Sequence, residues 1–289
     1  MRPYLSAIAF LIALVVVVAS SGCGQRVAAG SGEAPAPADL AADALASLEG
    51  QGSAHFVLDV KSDLNGGNLG LGLHAEGDAS ATAVDASGSL TFGSATFSGR
   101  LLADDHQLFL QFMDSWYGET QGIADALRQA KSKDDGNLWD EVATPAGIRR
   151  NFDQLFDGDV KAGPEVDGTA TWEFNGRLDA DGLAAFAQRF DAQATDGEEE
   201  MFKALANASR FVLVVGRDDK LPRRFEFSVR LSADQLKEMQ ESSSPAFDGA
   251  ENFEATLELS DFGKPVEVKA PDQFKPLDAL FDRLFSGFE

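Results

Sequence analysis

Three histidines, His55, His74 and His106, are the side chains best suited to moving protons near neutral pH. Nucleophilic catalysis would need one of them beside a serine or cysteine, with a carboxylate to orient it. Each lies beside or within a run of alternating apolar residues, and the chain has no Gly-x-Ser-x-Gly elbow. Histidines on strand surfaces are the simpler reading. Metal chemistry finds no better footing, because there is no HExxH, no cysteine pair and no histidine pair at ligand spacing. The stretches "LDADGLAAF" (178–186) and "FDGDVKAG" (156–163) hold closely spaced aspartates. Neither has the twelve-residue run of oxygen ligands, ending in glutamate, that a calcium loop requires. Asp179 and Asp181 read instead as the start of a helix. No phosphate-binding loop or dinucleotide fingerprint occurs. The sequence predicts a protein that is not an enzyme, with no catalytic residue, no cofactor and no metal.

One reactive side chain is left, the single cysteine, Cys23. It has no partner for a disulfide. Before it, Arg2 gives a positive start, residues 5–18 are apolar apart from Ser6, and Ala19, Ser20, Ser21 and Gly22 are small. That is the order of a secretory signal. The apolar run is short for a membrane-spanning helix, which needs about 20 residues. The small residues before Cys23 resemble the bacterial lipobox, although Ser20 stands where that motif prefers an aliphatic residue. The resemblance implies cleavage before Cys23 and a diacylglycerol on its sulfur. Two or three such chains, palmitate among them, would hold the protein stably on a membrane where one would not. An uncleaved membrane anchor and an incidental cysteine are the alternatives. The expected organisation is a signal peptide over 1–22, a lipidated Cys23 with a flexible linker over 23–38, and one folded domain over 39–289. The Gly/Ala/Pro/Ser linker would reach about 20 Å from the extracytoplasmic face of the cell membrane.

Charge narrows the partners. Asp and Glu number 47 against 24 Lys and Arg, a net charge of −23. Such a molecule repels phosphate backbones and anionic surfaces, so no nucleic acid is expected. Phe outnumbers Tyr by 22 to 2, which favours a dry core or an apolar cavity over a hydrogen-bonding site.

The elements that would position any site follow from periodicity. "ADLAADALASLEG" (38–50) places Leu40, Ala44, Leu45 and Leu48 on one helical face, with Gly50 to end it. Period two then takes over: Phe56, Leu58 and Val60; Leu69, Leu71 and Leu73; Leu90 and Phe92; Phe97 and Leu101; Leu108, Leu110 and Phe112. Short polar turns between these runs predict an antiparallel meander. Residues 115–157 interrupt it with a helix near 123–131 and a second begun by Thr144 and Pro145. Strands resume with Trp172 and Phe174. A helix carrying Leu183, Phe186 and Phe190 follows, then rows at Phe211, Leu213 and Val215, at Phe225, Phe227 and Val229, and at Phe253, Leu257 and Leu259. A last helix is predicted over 272–288. The fold class is α+β: a single strongly curved antiparallel sheet with helices packed on its concave side.

Apolar rows on a concave face have two readings. They bury against helices as an ordinary core, or they stay open as a lipid site. A buried acyl chain of about 16 carbons would contribute on the order of 10 kcal/mol before binding entropy is subtracted. The candidate lining is Phe56, Leu58, Leu71, Phe97, Leu110, Trp172, Phe174, Phe211, Leu213, Phe225 and Phe227.

Several stretches, in order and spacing, resemble the LppX/LprG family of bacterial envelope lipoproteins. They are the first helix running into "SAHFVLDV", "HQLFLQFMDSWY", "EVDGTATWEFNGRLDADGL", "VLVVGRDDKLPRRFEFSV" and "LSDFGKPVEVKAPD". With the lipobox they cover most of residues 1–22 and 38–271. The plan is more distantly similar to periplasmic carriers of the LolA type. The resemblance implies a half-barrel with an apolar cavity, a monomer that binds acylated lipids or glycolipids and carries them within the envelope. Residues 119–143 read as an insertion against that family, and 272–288 as an extension. A non-transporting sensor or protein-interaction module on the same fold, with an envelope protein as partner, is the alternative.

Overall fold

The computed structural model describes residues 32–64, 69–104, 107–119, 144–188, 196–232, 235 and 250–280. The period-two runs form the strands: β1 Ser53–Leu64, β2 Leu69–Ser80, β3 Ala83–Phe92, β4 Ala95–Asp104, β5 Leu108–Phe112 and β6 Ser115–Glu119. They continue as β7 Phe156–Ala162, β8 Thr171–Leu178, β9 Ser209–Gly216, β10 Pro222–Arg230, β11 Ala250–Ser260 and β12 Lys275–Pro276. All join one sheet of order β12-β6-β5-β4-β3-β2-β1-β11-β10-β9-β8-β7. The sheet is open and curved, and every pairing is antiparallel except β6 with β12. It is the expected α+β half-barrel, with helices on the concave side.

The concave face is traced through the register. Phe56 pairs with Leu259 and Gly77, Leu58 with Leu257 and Ala75, and Val60 with Leu73. Leu73 leads to Leu90 and then Phe97, while Gly77 leads through Ala86 to Leu101 and Leu110. On the other side Leu257 leads to Phe225, Leu213 and Phe174. The convex face carries His55, Asp59, His74, Glu76 and Asp78 with their ion pairs.

Strands β2 and β3 approach unusually closely at two glycines. A Cβ on Gly77 would collide with the Asp85 carbonyl oxygen and the Ala86 Cα, and one on Gly88 with the His74 carbonyl oxygen. Both positions point into the concave face, where adjacent strands close on each other. Only glycine allows that approach.

Helix α1, Pro37–Gln51, begins with proline in its first turn, at a position with no intrahelical N–H to lose. It ends one turn-residue later than the sequence suggested. Gly50 stays helical, and Gly52, at φ 74°, takes the left-handed cap and donates its N–H to the Leu48 carbonyl. Helix α2, Pro145–Leu155, has the predicted cap: the Gly147 N–H donates to Thr144 Oγ1 at 3.0 Å. Helix α3, Ala180–Gln188, starts where Asp179 Oδ1 accepts from the Gly182 N–H at 2.7 Å. Helix α4, Asp196–Ala208, was not among the expected elements, although an acidic start favours a helix N-terminus. The aspartate-rich stretch at 156–162 is strand β7.

The predicted helix over 272–288 is corrected at its start. Lys275 and Pro276 form β12, since proline holds the residue before it in an extended conformation. Residues 281–288 lie outside the described residues, as do the predicted helix near 123–131, the insertion at 120–143, His106 and Cys23. Adding one methyl group at this close approach, Gly77→Ala, is expected to cost about 1–3 kcal/mol of stability through overpacking. Chemical denaturation of the full chain with and without the substitution measures it.

Candidate functional site

The helices cover one half of the concave face. In α1, Leu40, Ala41 and Ala44 pack with Phe152 of α2 against Trp172, Phe174, Leu213 and Val215. Phe152 meets Phe174 edge-on with ring centroids 5.2 Å apart, and Phe156 and Phe211 close the group. Further along α1, Leu48 packs against Phe56, Leu58, Leu257 and Leu259. Arg149 of α2 reaches Asp39 at 2.9 Å and Asp43 at 2.6 Å, which ties the two helices together. These exposed pairs orient the helices more than they stabilise them.

Beyond Ala79 and Ala86, which still belong to the Leu48 cluster, the same face continues over the far ends of β2–β4 and onto β5, where its large side chains are open or half-buried. Leu90 is 44 % exposed and Phe97 39 %, and Phe92 and Met113 at the rim reach 49 % and 54 %. Leu71, Leu73, Leu101 and Leu110 are half-buried beside them. Phe97 stacks on Phe112 with centroids 5.9 Å apart. Large side chains are left open here in one contiguous row.

The register puts all eleven sequence-selected residues on this one face. They divide into two groups. Phe56, Leu58, Trp172, Phe174 and Leu213 are buried in the clusters under α1, and Phe211 and Phe225 pack against those clusters. Phe227 lies beside Phe253 at 6.1 Å. Leu71, Phe97 and Leu110 belong to the uncovered half. Sequence selection left out Leu73, Leu90 and Leu101, whose alternation carries the same signal.

The two described histidines, His55 and His74, are on the convex side. His55 Nδ1 lies 2.9 Å from Asp78 and His74 Nδ1 2.9 Å from Asp59. Arg100 makes a two-pronged pair with Asp85, at 2.9 and 2.7 Å. The Asp85 hydrogen bond holds its guanidinium above the usual range. A polar cleft of about 330 Å³, lined by Lys61, Asp63, Arg230, Asn252 and Glu254, lacks the apolar wall an acyl chain needs.

An open half-barrel with half of its apolar concave face uncovered is the class this geometry defines. No protein-family model matches the chain, and no curated protein matches it. Among solved structures it is similar to the lipoprotein LppX of Mycobacterium tuberculosis, at 14% identity and TM-score 0.43, covering 81% of this chain and 100% of that one. It is similar to LprF of Mycobacterium bovis at 14% identity and TM-score 0.40, over 83% and 99% of the two chains. A putative outer membrane lipoprotein-sorting protein domain from Vibrio parahaemolyticus shows 8% identity and TM-score 0.22, over 80% and 93%. The lipoproteins found in this way are of the kind that the sequence resembles. The half-barrel itself rests on this chain's own sheet order.

Truncating the covered and uncovered halves should have opposite consequences. Phe174→Ala is expected to cost about 3–5 kcal/mol, as for a fully buried aromatic. Leu90→Ser should stay within roughly 0.5 kcal/mol, as for an exposed position. Urea midpoints of the two variants against the parent check this.

Proposed function

We propose that the protein is a membrane-tethered carrier that shields the acyl chains of a lipid or glycolipid within the cell envelope. The observation that carries this reading is the uncovered half of the concave face. Leu71, Leu73, Leu90, Phe97, Leu101 and Leu110 form an apolar wall beside a packed core, and an acyl chain would complete it. The buried row from Phe56 to Phe174 would be the rigid floor against which that wall is held. Such a site needs no catalytic group, and His55 and His74, paired with carboxylates on the convex face, stand away from it. The LppX and LprF likeness supports the reading as a likeness of plan.

Attachment belongs to the same proposal. Cys23, outside the described residues, would carry the diacylglycerol, and the segment after it would give the half-barrel its reach on the extracytoplasmic face. Among the described residues no helix is long and apolar enough to cross a membrane.

Native mass spectrometry of the full chain from a bacterial host, followed by lipid extraction, tests the reading. An acylated species at fixed stoichiometry is expected. Placing a carboxylate on the wall, Leu110→Asp, should reduce the bound fraction by about tenfold or more, since every 1.4 kcal/mol is a factor of ten. A clean apo mass with no uptake of offered lipid would sink the carrier reading and leave a sensor or protein-binding module on this fold.

A further inference from the structure

The two ends of strands β2–β5 differ in chemistry. One end carries Asp78, Asp85 and Asp104. At the other end the β3–β4 hairpin, residues 86–99, carries no acid and no Lys or Arg, and is flanked by Asp63, opposite Gly70, and Asp114, beside Met113. In a chain of net charge −23 that charge-free hairpin is a marked segregation. It is also where large apolar side chains are open: Leu90, Phe92 and Phe97, with Met113 on the turn after β5.

The hairpin projects. β5 ends at Phe112, which pairs with Gly99, so residues 95–98 of β4 run beyond it. Polar groups at its tip are paired: the Gly93 N–H donates to the Gly70 carbonyl of β2 at 2.8 Å, and the Thr91 and Thr96 hydroxyls bond each other at 3.1 Å. Arg100, on the inner side of the hairpin, is neutralised by Asp85.

From this segregation we propose that the β3–β4 hairpin is a lip that seats on a lipid bilayer surface, with Phe92 at its leading edge. The proposal deepens the carrier reading and rests on it, because the lip would open the uncovered wall directly onto the membrane. An apolar tip free of charge suits neutral headgroups, whereas the acidic remainder of the molecule is repelled by anionic ones. The strand edge beyond Phe112 has unpaired backbone groups that hydrocarbon does not tolerate, so the lip sits at headgroup depth and no deeper. The same arrangement orients the molecule, with the Asp78, Asp85 and Asp104 end turned to water.

The test uses the full chain reconstituted into phosphatidylcholine vesicles, with phosphatidylcholine brominated near the headgroup as quencher. Phe92→Trp should be quenched above the parent background, and Thr82→Trp, at the opposite end, should not. Phe92→Ser should slow lipid uptake from vesicles about tenfold while the lipid held at equilibrium in detergent is unchanged. Equal quenching at positions 92 and 82, or uptake unaffected by Phe92→Ser, overturns the lip. Quenching at 92 in a protein that never holds lipid upholds the lip and removes the carrier. Bound lipid with no quenching at 92 does the reverse.

Discussion

Helix α1 lies on the sheet through Leu40, Ala41, Ala44 and Leu48, and the rest of the fold is arranged around that contact. Alanine at the interface lets the helix axis come close to the strands, and the leucines then reach both clusters. One helix therefore spans the Trp172–Phe174–Leu213 group and the Phe56–Leu58–Leu257 group. That is enough to seal half of a sheet of 12 strands and no more. Helix α2 extends the seal sideways, guided by Arg149. The uncovered row follows from this arithmetic of area: a sheet this wide has more apolar face than its described helices can hide.

The two faces divide the labour of charge and apolar burial. Alternation sends Asp59, Glu76 and Asp78 outward and Leu58, Ala75 and Gly77 inward from adjacent strands. The acidic surplus thus gathers where water is, and it costs the interior little. The convex His55 and His74 sit within that acidic field, which explains their carboxylate partners.

Much of this was legible in the sequence. Period two marked the strands, and the parity chosen for Phe56, Phe97, Trp172 and Phe225 places them on one face, as the register shows. Thr144 and Asp179 announced their helices through capping chemistry that is local to a few residues. What stayed hidden was non-local. No pattern in Trp172 or Leu71 says that α1 will cover the first and leave the second, since that depends on where one helix lands. Helix α4 has the acidic start that favours a helix N-terminus, a local signal absent from the expected elements. Phe274, Leu277 and Leu280 have helical spacing, but Pro276 holds Lys275 extended in β12. Gly50 drew attention as a helix end, when the deciding property, a left-handed backbone, belonged to Gly52.

The close approach at Gly77 and Gly88 has a consequence for how such a vessel varies. Its bore is written in hydrogen atoms where other strands have side chains, at fixed positions along two neighbouring strands. The width of the trough and the character of its lining are therefore separate dials. Exchanging Leu73 or Leu110 for another apolar residue alters texture at constant gauge. Relocating a glycine by two positions would alter the gauge itself, while every wall residue stayed the same.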